Sequence, residues 1–180
     1  MLDMQKCCLA VVDVQGKLAQ LMYGREELFK NIQILIKAAK ILNIPILWCQ
    51  QCPESLGETV GEIAGLLTDG NEPINKASFS CCGVGQFNSE LKNLGRQQVL
   101  MCGIETHVCI YQTASDLLER GYEVSVIADA VSSRTLENKQ IALEKMKITG
   151  VDVSSTEMAL FELLKTAEHP QFKQVAKLIK

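Results

Sequence analysis

Three side chains of this sequence have the chemistry a thiol-dependent hydrolysis needs, and each stands beside an apolar run. Asp13 closes the run CCLAVV at 7–12, Lys76 lies in the short segment 74–79, and Cys109 follows the run QQVLMC at 97–102. A free thiol, with a pKa near about 8.5, is mostly protonated at neutral pH and needs help to become a nucleophile. A carboxylate can take or share its proton, and an ammonium favours the thiolate and keeps the carboxylate ionised. Taken singly, an Asp at a strand end is more often a turn or cap residue, and a Lys is usually a solvated charge. Only the joint pattern points to chemistry.

Cys109 carries a signal of its own. A helix beginning near 106 has Ile110, Ala114, Leu117 and Leu118 on its apolar stripe, whereas Cys109 shares a face with Thr113, Asp116 and Arg120. A cysteine serving only as packing belongs on the apolar stripe. Cys109 also falls in the first turn of that helix, where unpaired N–H groups and the helix dipole favour a thiolate.

The elements that must position these residues alternate. Apolar runs at 7–12, 44–49, 97–102, 122–128 and 151–155 read as strands. Helical spacing occupies 26–43, 85–94, 106–120, 136–148 and 156–165, and a short amphipathic helix follows Pro170. The Gly-, Glu- and Thr-rich stretch at 53–73 has no readable period and is long for a connector. Strands buried on both faces and separated by helices imply one α/β domain over 1–180: an open, mostly parallel sheet with helices on both faces. Such sheets bind ligands at the carboxyl ends of their strands, where Asp13, Lys76 and the segment 103–109 all fall.

Composition removes several alternatives. With 18 basic and 21 acidic residues the formal charge is −3, without a dense basic run, so electrostatic nucleic-acid binding is not expected. The longest apolar stretches are far below the roughly 20 residues that cross a bilayer, and the N-terminal residues do not form a signal peptide. A soluble cytoplasmic protein is the expectation. Of the eight cysteines, Cys49 and Cys52 form a C-x-x-C pair with no second pair to complete a zinc site. Adjacent Cys7-Cys8 and Cys81-Cys82 suit a disulfide framework badly, which leaves reduced, mostly buried thiols and no metal site.

Five segments, in order along essentially the whole chain, resemble the isochorismatase-like cysteine hydrolases: VVDVQ at 11–15, NKASFS at 75–80, CGIETHVC at 102–109, ADAVSSR at 128–134 and STEMALFEL at 155–163. Among these the likeness is to isochorismatase domain-containing hydrolases of unassigned substrate. The resemblance implies an Asp-Lys-Cys triad at Asp13, Lys76 and Cys109, acting on an amide-like carbon–nitrogen bond of a small molecule through a thioester. It implies an oxyanion held by the backbone N–H groups of Glu105 and Cys109 in a turn whose Ile104–Glu105 peptide is cis. It also implies a homo-oligomer and no cofactor. Trp48 and Phe79 flank the inferred strand ends and are expected pocket walls, His107 is a possible ligand contact, and Asp129 is expected to brace a turn. Nicotinamidases carry a D-x-H metal site after the second strand, where this chain reads Trp48-Cys49-Gln50-Gln51-Cys52, and its only histidines are His107 and His169. The namesake isochorismatases use no cysteine at the nucleophile position. Two alternatives stay open: an isochorismatase-type ether hydrolase, and a catalytically silent oligomeric scaffold.

Overall fold

Strand β1, Cys7–Val12, shows why a run without a polar position makes a central strand. Cys7, Leu9 and Val11 enter one apolar core and Cys8, Ala10 and Val12 the other, so both faces of the pleat are covered. The computed structural model describes residues 1–180. After β1 come α1 (Gly16–Gln20) and α2 (Arg25–Ile41), then β2 (Ile46–Gln51), α3 (Pro53–Leu56), α4 (Gly61–Leu67) and β3 (Pro73–Lys76). A 3-10 turn at Cys81–Gly83 leads into α5 (Gly85–Leu94) and β4 (Gln98–Ile104). A π-helical turn, Thr106–Ile110, then runs directly into α6 (Tyr111–Glu119). The chain finishes with β5 (Glu123–Ser132), α7 (Leu136–Ile148), β6 (Asp152–Ser154), α8 (Thr156–Leu164) and α9 (Phe172–Ala176).

All neighbouring strands pair in parallel, in the order β3-β2-β1-β4-β5-β6. Helix α2 buries Leu28, Ile32, Leu35, Ile36 and Ala39 at helical spacing against one face, with α4, α8 and α9 beside it. Glu26 and Glu27 in its first turn and Lys40 in its last complement its dipole. The other face is covered by α5, α6 and α7 through Phe87, Leu91, Ala114, Leu117 and Met146. The strand order reverses between β1 and β4, and at such a switch point the carboxyl ends of the strands are where parallel sheets bind ligands. There Val12 lies opposite Gly103, whose φ of +120° suits only glycine and where a Cβ would collide with the Val12 carbonyl.

The expected sheet is thus present and wholly parallel, with differences at the element ends. The stretch 53–73 contains two short helices, α3 and α4, which its mixed composition hid. Strands β4 and β5 run further than their apolar stretches, to Ile104 and Ser132. In β5 the register shifts opposite Met101–Gly103, so polar Asp129, Ser132 and Ser133 continue the strand or follow it closely.

Candidate active site

Asp13 leaves β1 with a φ of +54°, a left-handed conformation that Asp tolerates better than most residues. Its N–H donates to the Cys49 carbonyl at 3.0 Å, continuing the β1–β2 ladder by one residue before the chain turns. Lys76 ends β3 opposite Gln51 in the β2–β3 register. The two side chains, 4% and 0% exposed, meet with Lys76 Nζ 2.7 Å from Asp13 Oδ2. The ammonium also donates to Gln51 Oε1 at 2.6 Å, to the Phe79 carbonyl at 3.0 Å and to the Ser78 carbonyl at 3.2 Å. Its hydrogens are all engaged within the protein.

Cys109 is buried at the start of the helical segment, where the charges of both Asp13 and Lys76 act on its thiol. Apart from the Lys76 ion pair, neither Asp13 carboxylate oxygen has a hydrogen-bond donor. The helix face that carries Cys109 is polar for a local reason: it grips the turn that follows Lys76. Thr113 Oγ1 accepts from the Cys81 N–H at 3.0 Å, and Asp116 Oδ2 accepts from Ser80 Oγ at 2.6 Å. Arg120 donates to the Cys82 carbonyl at 3.1 Å and to Asn88 Oδ1 at 2.6 Å. The polar face is therefore a seam between this helix and the turn after β3. It ties the Ser78–Phe79 carbonyls that hold Lys76 to the helix that holds Cys109.

Burial raises the Asp13 carboxyl above the ordinary carboxylate range, against the opposing pull of Lys76 and the Cys109 thiol. Burial also pushes the Cys109 thiol well up, the Asp13 charge adds to this, and Lys76 only partly offsets it. For Lys76, burial lowers the pKa, but the charges of Asp13, Cys81 and Cys109 outweigh it and the net shift is upward. All three directions favour keeping protons in the cluster. For Cys109 this direction runs against the thiolate that the first-turn position alone suggested.

The segment before Cys109 has the expected cis peptide at Ile104–Glu105. The Glu105 carbonyl accepts from the N–H groups of Val108 at 3.1 Å and Ile110 at 3.3 Å, on either side of Cys109. The Glu105 carboxylate is turned away to Arg134, accepting from its N–H and its Nε at 3.1 Å each. His107 Nδ1 lies 2.9 Å from Ser133 Oγ.

Other expected site residues sit elsewhere. Ile104 is wholly buried core. Trp48 is not brought to the cluster: it packs in the α2-side core, opposite the face of Cys49, and its indole N–H donates to Thr59 Oγ1 at 2.9 Å. Strand alternation decides this, since a residue beside Cys49 must point the other way. The Phe79 ring is 54% exposed, and it is the residue's carbonyl that reaches Lys76. Asp129 braces α8, its Oδ1 accepting from the Thr156 N–H and Oγ1 at 2.8 Å each. Gln15 and Gln51, buried beside the ion pair, carried no sequence signal beyond their place at strand ends. No group of three or more His, Cys, Asp or Glu side chains is arranged to hold a metal ion.

A six-stranded, all-parallel sheet with helices on both faces is the architecture of the isochorismatase-like hydrolases. Residues 6–158 match the isochorismatase domain model, and the chain belongs to that family. Isochorismatase domain-containing protein 2 of Danio rerio is 41% identical over 172 residues, spanning 95% of this chain and 85% of the relative. The secreted isochorismatase effector Isc1 of Phytophthora sojae (strain P6497) is 39% identical over 175 residues, spanning 96% and 83%. Among solved structures, the MAR1 ribonuclease from Caenorhabditis elegans superposes with a TM-score of 0.93 at 36% identity, covering 99% of this chain and 91% of that one. No helix of this chain is long and apolar enough to cross a membrane.

Proposed function

We propose that this protein hydrolyses a carbon–nitrogen bond of a small amide-like molecule, with Cys109 as nucleophile, Asp13 as general base and acid, and Lys76 as a fixed positive charge. The observation that carries the reading is the buried Asp13–Lys76 ion pair, 2.7 Å apart, with the buried Cys109 thiol within reach of both charges. As the Sγ–carbon bond forms, the thiol proton passes to Asp13, and the carbonyl oxygen becomes an oxyanion held by the N–H groups of Glu105 and Cys109. The carbon–nitrogen bond then breaks, with Asp13 returning the proton to the leaving nitrogen. Water attacks the resulting thioester, gives a proton to Asp13, and the carbon–sulfur bond breaks as the thiol is restored. Lys76 is assigned no proton of its own to transfer; three acceptors besides Asp13 hold its ammonium in place. Its charge favours the thiolate as it develops.

The same reading includes a homo-oligomer, neither nucleic acid nor membrane as partner, and a cytoplasmic setting, for which the eight unpaired thiols are the support. It requires no cofactor. The test is ammonia or amine release from a panel of small amides, with mass spectrometry of intact protein to trap an acyl adduct. Turnover by the wild type, lost in Cys109→Ala together with the adduct, is the expected result. Vinyl-ether cleavage that survives Cys109→Ala would favour the ether-hydrolase alternative. RNA cleavage that survives it would extend to this chain the activity for which the C. elegans neighbour is named. Specific binding without turnover of any of these would favour a scaffold.

A further inference from the structure

The cluster contains a buried polar side chain that the proposed reaction does not use. Gln51 Oε1 accepts from Lys76 Nζ at 2.6 Å, while Gln51 Nε2 donates to the Ala77 carbonyl at 2.7 Å. These two neighbours settle which way the amide faces, because an ammonium can only donate and a carbonyl can only accept. The backbone of Gln51 is fixed as well. Its N–H donates to Gln15 Oε1 at 2.6 Å, and Gln15 Nε2 donates to its carbonyl at 3.0 Å and to the Gly57 carbonyl at 2.7 Å. Gln15, fully buried, thus makes at the end of β2 the pair of hydrogen bonds that a neighbouring strand would make.

We propose that Gln51 is a positioning residue that holds the Lys76 ammonium against Asp13 and Cys109, and that Gln15 holds Gln51. The inference rests on the proposed function of Lys76 and deepens it. A lysine side chain has four rotatable carbons, and in a dry cluster its charge acts at full strength only where it is kept. Two loop carbonyls and one carboxylate hold the ammonium from the loop and β1 sides. The Gln51 amide adds an acceptor from the β2 side, and because it is neutral it does so without cancelling the charge. A carboxylate in the same place would bind Lys76 more strongly, but it would oppose a thiolate on Cys109 and face the Ala77 carbonyl without a proton to offer. A neutral acceptor with a donor on its other arm is the side chain that meets both requirements.

The experiment is peptide-mapped alkylation of Cys109 by iodoacetamide in the full chain, from pH 6 to pH 10. The proteins are wild type, Gln51→Met, Gln51→Glu, Lys76→Met and the Gln51→Met/Lys76→Met double variant. Gln51→Met is expected to slow alkylation by about five-fold or more, and the double variant to react no more slowly than Lys76→Met alone, as for residues that act as one unit. Gln51→Glu, which keeps the shape of the side chain and guards against a folding failure of Gln51→Met, is expected to move the alkylation profile to higher pH. A merely structural role would lower stability without moving that profile. Wild-type alkylation in Gln51→Met, losses that multiply in the double variant, or an unmoved profile in Gln51→Glu would each overturn the proposal. If Lys76→Met alkylates like wild type, the assigned role of Lys76 fails, and the inference about Gln51 falls with it.

Discussion

Lys76 Nζ stands 2.7 Å from Asp13 Oδ2 in a place where both side chains are sealed from water. A buried pair of this kind gains little net stability over apolar residues, yet is costly to break from one side, by about 3–5 kcal/mol. Lys76→Met or Asp13→Asn alone should therefore lower the urea midpoint markedly. The Asp13→Asn/Lys76→Met double variant should lose less than the two losses added together. Simple additivity in equilibrium unfolding would show that the charges are not coupled in the folded protein.

Labelling and turnover should part company when the base is removed. The Asp13 charge helps to hold the Cys109 thiol up and Lys76 pulls it down, so Asp13→Asn removes a raising cause and leaves the ammonium in place. Asp13→Asn is expected to slow amide turnover by roughly 10²–10⁴-fold, the usual worth of a positioned base, while alkylation of Cys109 is kept or quickened. Peptide mapping against half-exposed Cys52 provides the internal standard. Undiminished amide turnover in Asp13→Asn would remove the base from the mechanism.

Alkaline pH should unfold the protein through its buried thiols. Burial pushes the Cys82 thiol up to about 11 and the Cys8 thiol up to about 12. Between pH 9 and about 11 the unfolded chain loses these protons while the folded chain keeps them, so stability falls as pH rises. The slope is about 1.4 kcal/mol per pH unit for each thiol. Urea midpoints at pH 8, 9 and 10 should show the decline, and Cys82→Ala should flatten it. A midpoint that holds steady to pH 10 would contradict the assignment.

Activity should survive chelation. The proposed route uses a carboxylate, a thiol and backbone donors, so dialysis against a chelator is expected to leave amide turnover unchanged. Elemental analysis of the purified protein should find no stoichiometric zinc. One zinc per chain with Cys49 and Cys52 among its ligands would revive the metal reading of the C-x-x-C pair.

The sheet was legible because burial on both faces leaves a signature that needs no partner to read. A run such as CCLAVV has no polar position, helical spacing returns in α2, and Gly95 and Gly121 mark the ends of α5 and α6 at positive φ. The site was legible in part for the same reason, since a parallel sheet delivers the residues after its strands to one edge. Local composition could not reveal α3 and α4, whose short lengths span too few turns to establish a period. The polar face of α6 was legible, but not the partner it serves. Thr113, Asp116 and Arg120 are polar because they bind the turn at Ser80–Cys82, a contact that exists only once β3 lies across the sheet. Trp48 looked like a pocket wall until the pleat sent it to the opposite face from Cys49. Gln15 and Gln51 were invisible as a pair because nothing in a chain marks which buried amides will meet. The residue types set the available chemistry and the strand ends set its location. The protonation of Cys109 and the hold on Lys76 arise from burial and from neighbours brought in from distant segments, and neither exists before the chain folds.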